Sequence, residues 1–127
     1  MLMKLKRHLP QLLAASLAFL VGLCSTGDFA YHIGCIQAHI DVARGQYQLQ
    51  VYGTVDGGLE EFSEIAAREY GIEVVPHGCI ISEQGIERMR GYNDVSEAAI
   101  KRKYGRDVIE SIWDRALPEY RAKLKLR

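Results

Sequence analysis

The stretch of sequence that decides the fold runs from residue 46 to residue 82: QYQLQVYGTVDGGLEEFSEIAAREYGIEVVPHGCIIS. At its start, Tyr47, Leu49 and Val51 alternate with glutamines. A period of two is typical of a strand that buries one face and exposes the other. We therefore expect a strand over residues 46–54, which runs into a turn rich in glycine.

A helix and a second strand complete this stretch. Apolar side chains recur at helical spacing over residues 59–70, and Gly71 marks the end of that helix. Residues 72–82 predict a buried strand, which Pro76 bends or confines to a sheet edge because proline has no N–H to donate to a ladder. Two strands joined by a helix within 37 residues form a βαβ unit. Such a unit predicts parallel strands with a right-handed crossover.

Helices are predicted on both sides of this unit. Upstream, isoleucines at steps of three and four favour a helix over residues 30–44 that ends at Gly45, with a strand from Tyr31 as the alternative. Downstream, a short helix is predicted over residues 82–90, capped by Ser82 and ended by Gly91, with a hairpin that turns at Gly85 as the alternative. A second helix over residues 94–104 begins with the capping pattern Asp94-x-x-Glu97. A third over residues 108–120 is expected to kink or restart at Pro118. The predicted fold class is α/β or α+β, with a small two- to three-stranded sheet, a βαβ unit covered by about four helices, and one disulfide.

The composition is that of a globular protein. Of the 127 residues, 48% are hydrophobic and 25% are charged, and sixteen Lys and Arg balance sixteen Asp and Glu. These values exclude a disordered polar tract, a collagen-like repeat and a cysteine-dense scaffold. The neutral total gives no reason to expect a nucleic-acid partner.

The N-terminus is typical of an export signal. Lys4, Lys6 and Arg7 precede an apolar run from Leu9 to Cys24, which is shorter than the roughly 20 residues that span a bilayer. We expect a signal peptide or N-terminal membrane anchor at residues 1–27 and a single small globular domain at residues 28–127. The alternatives are lipidation at Cys24 and an ordinary buried helix. The predicted location is periplasmic or extracellular, with the chain anchored to the membrane if the segment is not cleaved.

The two cysteines of the body predict a disulfide. Cys35 and Cys79 form an even pair, and an exported protein meets an oxidising compartment. Closing a loop of 44 residues would contribute about 4 kcal/mol in the chain-entropy model. Two free thiols are the alternative.

The same cysteines, together with nearby histidines, also form a candidate metal site. Zinc or copper would accept imidazole and thiolate ligands, and both types occur in two short clusters. The candidate ligands are His32, Cys35, His39, His77 and Cys79. The spacing matches no common zinc motif, and bridged cysteines could not bind a metal.

Charge is unevenly distributed along the chain. Residues 31–100 hold four bases and eleven acids, whereas residues 101–127 hold nine bases and four acids. The basic end could bind an envelope protein or an anionic membrane surface. It could also pack across the acidic part of its own domain, which is the interpretation we favour. The candidate contact residues are Arg121, Lys123, Lys125 and Arg127.

No pattern in the chain is typical of an enzyme. The sequence has no phosphate loop or nucleophile elbow, and His77 and Cys79, two residues apart in a strand, would lie too far apart to form a catalytic pair. The predicted function is therefore a non-catalytic binding or structural module of the cell envelope. The alternative is a metal-binding protein, and a hydrolytic or redox enzyme comes third.

Overall fold

The computed structural model describes residues 27–53, 57–79 and 81–126. Four helices and two strands occupy these ranges. In chain order they are α1 (Gly27–Ala43), β1 (Tyr47–Val51), α2 (Leu59–Ile65), β2 (Ile72–Pro76), α3 (Glu83–Tyr104) and α4 (Val108–Lys125). Residues 1–26 of the predicted export segment lie outside the described residues. Among the helices that are described, none is both long and apolar enough to cross a bilayer.

The predicted βαβ unit is confirmed. β1 and β2 pair in parallel, with Tyr47 opposite Ile72 and Val51 opposite Pro76. The ladder continues one step further, because the backbone N–H of His77 donates to the Val51 carbonyl oxygen at 2.8 Å. Both strands end earlier than the sequence predicted, β1 at Val51 and β2 at Pro76. The fold is therefore mostly helical with a small two-stranded sheet, which fits the α+β form of the prediction.

The helix between the strands ends as predicted but changes its winding. α2 passes at Ala66 into a π-helical turn that reaches Tyr70. Gly71 then adopts a φ of 64°, a left-handed conformation that glycine accepts at little cost. Tyr104, the last residue of α3, donates its hydroxyl to the Tyr70 carbonyl oxygen at 2.6 Å and fixes this end.

The expected break in the downstream helices is wrong. Ser82 caps α3 as predicted, its hydroxyl accepting from the Gly85 N–H at 3.1 Å, but the helix then continues without interruption to Tyr104. Gly91 does not end it, because this glycine is buried against the backbone of Tyr31 on α1. Asp94 does not cap a new helix either, since its carboxylate accepts from the Tyr31 hydroxyl at 2.8 Å.

The core lies between the sheet, α2 and the facing sides of α3 and α4. Its members are apolar side chains from every element except α1. The large side chains that are almost fully buried in it are Phe62, Ile65, Ile72, Ile100 and Ile112. The Phe62 ring also stacks on Trp113, with ring centroids 4.4 Å apart. α4 runs through Pro118 to Lys125, so the proline does not stop it.

The predicted disulfide is absent from the structure. Cys35 and Cys79 are free thiols and do not lie at bonding distance. Cys35 is partly buried on α1, whereas Cys79 is exposed in the loop that follows β2. A bridge requires Cα atoms about 4.4–6.8 Å apart and Cβ atoms that face each other, and the positions of these two cysteines do not meet that requirement.

Candidate functional site

A groove opens where the two parallel strands end. Its volume is about 570 Å³, and α1, the end of β1, the loop after β2 and the start of α3 all contribute to its walls. Ligands of open parallel sheets bind in the crevice at the carboxyl ends of the strands, because the following loops and helix N-termini converge there. The lining residues are Gln37, Gln50, His77, Ile81, Ser82, Gly85, Arg88 and Met89.

Asn93 on α3 holds the β1 wall of this groove in place. Its side-chain amide donates to the Gln50 carbonyl oxygen at 2.7 Å and accepts from the Gln50 N–H at 2.8 Å. The Ser96 hydroxyl donates to the Gln48 carbonyl oxygen one step earlier on the strand. These bonds satisfy main-chain groups on the edge of β1 that β2 does not cover.

Arg88 is the positively charged group of the groove. Its Nε and one terminal nitrogen donate to the Gln37 side-chain oxygen at 3.0 and 2.8 Å. These bonds fix the plane of the guanidinium and use only two of its five N–H groups. The remaining donors can meet a carboxylate or a phosphate, which a planar guanidinium binds with two parallel hydrogen bonds.

A helix N-terminus and a histidine side chain also line the groove near Arg88. The N-terminal end of the 22-residue helix α3 carries part of the helix dipole, and Ser82 and Gly85 of this end line the groove. His77 lies on the opposite wall, directly after β2, and is exposed. The arrangement can therefore bind an anionic group between α3 and the strand ends.

The five predicted metal ligands are not brought together. His32 and His39 are exposed on α1, Cys35 is partly buried on the same helix, and only His77 lines the groove. Cys79 is exposed beyond it. Within the described ranges, no group of three or more His, Cys, Asp or Glu side chains is placed to hold a metal ion.

The clear pKa shifts belong to groups that stabilise the fold away from the groove. A bidentate pair with Arg115, with N–O distances of 2.6 and 2.5 Å, lowers the pKa of Glu69 to about 2. A hydrogen bond to Asp94 raises the pKa of Tyr31 to about 12. Burial, reinforced by a hydrogen bond to Asp41, raises the pKa of Tyr92.

The basic end of the chain contacts the acidic half. Lys123 forms an ion pair with Glu61 at 2.9 Å, and Glu61 is only 2% exposed. The pair raises the pKa of Lys123. Arg121 and Lys125 are exposed at the end of α4, and Arg127 lies outside the described residues. Part of the predicted contact surface is thus used within the chain, which is the alternative that the charge pattern favoured.

The sequence did not identify Arg88, Gln37, Gln50 or Asn93 as residues of a site. None belongs to a recognisable motif, and their common location depends on how α1 and α3 pack beside β1. The one available signal was the order strand, helix, strand, which predicts a crevice at the strand ends.

Comparisons with known proteins found no relative of this chain. No family model matches the chain, and neither a curated protein nor a solved structure matches it.

Proposed function

We propose that this chain is a small exported module of the cell envelope that binds an anionic ligand without chemical conversion. The ligand's carboxylate or phosphate lies in the groove at the carboxyl ends of β1 and β2. The observation that carries the proposal is the fixed guanidinium of Arg88 in a groove of about 570 Å³. That volume is within the usual range for a small-molecule site.

The hydrogen bonds around the groove support binding rather than catalysis. The Ser82 hydroxyl is occupied as a helix cap, so it is a poor candidate for a nucleophile. The Gln50 main chain is fully engaged by Asn93, and Gln37 holds Arg88. A rigid set of donors with one free charged face recognises a ligand, whereas acyl or phosphoryl transfer would need a nucleophile and a base in mutual reach.

Export is supported by the sequence alone. The basic residues and apolar run at residues 1–27 are typical of a signal peptide, and the ligand would then be one that reaches the periplasm or the extracellular space. Expression of the full chain with an intact-mass measurement tests this part, because cleavage near residue 27 removes a defined mass.

The binding proposal is tested by titration with inorganic phosphate and with succinate. Amide chemical shifts of residues 77–85 are followed in the purified chain and in the variant Arg88→Gln. We expect saturable shifts in the parent, and an affinity in the variant lower by roughly tenfold to a hundredfold, the value of one charge-assisted hydrogen bond or pair.

Arg102→Gln is the matched control. Arg102 is an exposed arginine on the same helix, and it does not line the groove. The control should bind as the parent does, with an unchanged unfolding temperature in both variants. Binding that is equally weak in both variants, or shifts distributed over the whole surface, would contradict a site at Arg88.

A further inference from the structure

α1 exposes an apolar stripe to solvent. Phe29, Ile36 and Ile40 are 42%, 56% and 45% exposed, and Ile33 lies partly buried between them. Their spacing of four, three and four residues keeps them on one face of the helix, as in the seam of a coiled coil. Three large exposed side chains in one line differ from the isolated apolar residues that are common on protein surfaces.

This stripe is not the face by which α1 joins the rest of the fold. Gly34 and Ala38 lie on the opposite side and are buried. Gly34 packs against the backbone of Arg88 and Tyr92 on α3. Since the packed face is already in use, the stripe is the side of α1 that the described residues leave exposed.

The surroundings of the stripe carry little charge. Asp28 and Asp41 are the only acidic residues of α1, which has no lysine or arginine. The Asp41 carboxylate accepts from the Tyr92 hydroxyl at 2.9 Å, on the side facing α3. Two copies of this helix could therefore approach without strong repulsion between like charges, whereas a helix meant to remain in water normally carries charges beside its apolar residues.

We propose that the stripe binds the same stripe of a second copy of this chain, with the two α1 helices antiparallel about a two-fold axis. The spacing of four, three and four reads the same in both directions. An antiparallel pair therefore places Phe29 against the partner's Ile40 and Ile33 against the partner's Ile36, and the two-fold axis repeats both contacts. A closed symmetric dimer needs a surface that complements itself in this way.

A recess beside the stripe extends the contact. It has a volume of about 350 Å³ and is bordered by Phe29, Ala30 and Ile33 on α1 and by Ser82, Gln84, Gly85 and Arg88 at the start of α3. The partner's Ile40 would lie next to Phe29 and could enter this recess. The contact then includes α3 as well as α1.

The available area limits the strength of the dimer. The exposed parts of Phe29, Ile36 and Ile40 amount to roughly 290 Å² per copy, taking about 200 Å² for a whole side chain of this size. A standard specific interface buries about 800 Å² per partner. We therefore expect a weak, reversible dimer that forms as the concentration rises from the micromolar into the hundred-micromolar range.

Sedimentation velocity over this concentration range tests the proposal. The purified chain should shift from monomer to dimer, and Ile36→Glu should raise the dissociation constant at least tenfold because the symmetry places two carboxylates in the seam. Leu124→Glu is the matched control, since Leu124 is 51% exposed but lies on α4. The control should dimerise as the parent does, and circular dichroism should show both variants folded.

A mixing experiment tests the orientation. Phe29→Glu and Ile40→Lys should each weaken self-association, and an equal mixture of the two should regain it. Only an antiparallel pair brings the new carboxylate opposite the new ammonium and leaves the second Phe29–Ile40 contact intact. In a parallel pair the new carboxylate faces an unchanged Phe29 and the new ammonium faces an unchanged Ile40, so the mixture escapes like-charge repulsion but forms no ion pair and stays well below the association of the parent.

Three outcomes overturn the proposal. They are a monomer at every concentration, a dimer that Ile36→Glu leaves unchanged, and a mixture without recovery. A fourth is flotation with vesicles of phosphatidylethanolamine and phosphatidylglycerol that Ile36→Glu abolishes, which would assign the stripe to a lipid surface. None of these depends on anion binding at Arg88, so this proposal and the proposed function fail separately.

Discussion

Alanine in place of Gly34 or Gly91 gives the sharpest test of the packing of α1 on α3. A Cβ atom at Gly34 would collide with the Arg88 carbonyl oxygen and lie 2.8 Å from the Tyr92 nitrogen. A Cβ atom at Gly91 would collide with the Tyr31 carbonyl oxygen. Both obstacles are backbone atoms of the neighbouring helix, so the two helices must move apart.

The sign of the effect follows from two opposing contributions. In a helix interior, changing glycine to alanine stabilises by about 1 kcal/mol because it removes backbone freedom from the unfolded chain. Overpacking costs about 1–3 kcal/mol, and collision with backbone belongs at the upper end. We expect each variant to lower the free energy of unfolding by about 2 kcal/mol, or the melting temperature by about 10 °C for a domain of this size.

Chemical denaturation followed by circular dichroism measures the change, with two control variants. At Gly85, which is also helical, a Cβ atom would lie 2.7 Å from the Ile81 side chain and touch no backbone, so Gly85→Ala should cost less than either variant because a side chain can move aside. Gly45→Ala meets no neighbour but has a φ of +76°, so it should lower stability by about 1 kcal/mol through backbone strain alone. If Gly34→Ala and Gly91→Ala instead raise the free energy of unfolding, as replacement of an exposed helical glycine does, then α1 and α3 do not pack as closely as described.

Three further predictions concern the rest of the fold. Pairing with Arg115 lowers the pKa of Glu69 from 4.5 to about 2. The contribution of this pair to the free energy of unfolding is therefore fully present above pH 4.5 and is lost as the pH falls towards 2. The free energy of unfolding of Glu69→Gln should accordingly depend less on pH in this range. Phe62→Ala should destabilise by about 3–5 kcal/mol and shift the fluorescence of Trp113 to longer wavelength, because the stacked ring is removed from a buried site. Asn93→Ala should cost about 1–3 kcal/mol and accelerate amide hydrogen exchange in β1, whose main-chain groups lose their partners.

Each of these has a result that contradicts it. An unchanged acid transition in Glu69→Gln would mean that the carboxylate is not paired in solution, and Glu83→Gln, an exposed position on α3, is the control. If the emission maximum of Trp113 in Phe62→Ala is the same as in the parent, Phe62 does not stack on Trp113 in solution. For Asn93, slow exchange at the Gln50 amide in the variant would show that another group holds the strand edge.

The strand–helix–strand core was predictable because its signal is local. Alternating Tyr47, Leu49 and Val51 needed only the chemistry of neighbouring residues, and the parallel pairing followed from the short crossover. The same local reasoning misplaced Gly91. A glycine after a helical segment indicates a helix end, but the sequence does not distinguish that use from close approach by another backbone, which depends on α1, more than fifty residues away.

The candidate site was less accessible to sequence reasoning. His77 was identified, but as a metal ligand together with cysteines that the fold keeps apart. Arg88 resembles any other surface arginine until Gln37 on α1 fixes its guanidinium. The groove forms where α1, the end of β1, the loop after β2 and the start of α3 pack together. No one of these segments alone indicates that its residues line a site.

The bonds from Asn93 and Ser96 to β1 also determine how the sheet can grow. A free strand edge is a template on which another polypeptide can add a strand, the first step of domain swapping and of fibril formation. Side chains of α3 bond three main-chain groups on that edge of β1, which are the Gln50 N–H, the Gln50 carbonyl and the Gln48 carbonyl, so an incoming chain finds these groups already paired. On the other edge of the sheet, along β2, an added strand would meet the exposed Glu73 and would end at Pro76. A single asparagine and a single serine therefore make this edge of the sheet a poorer template for an added strand.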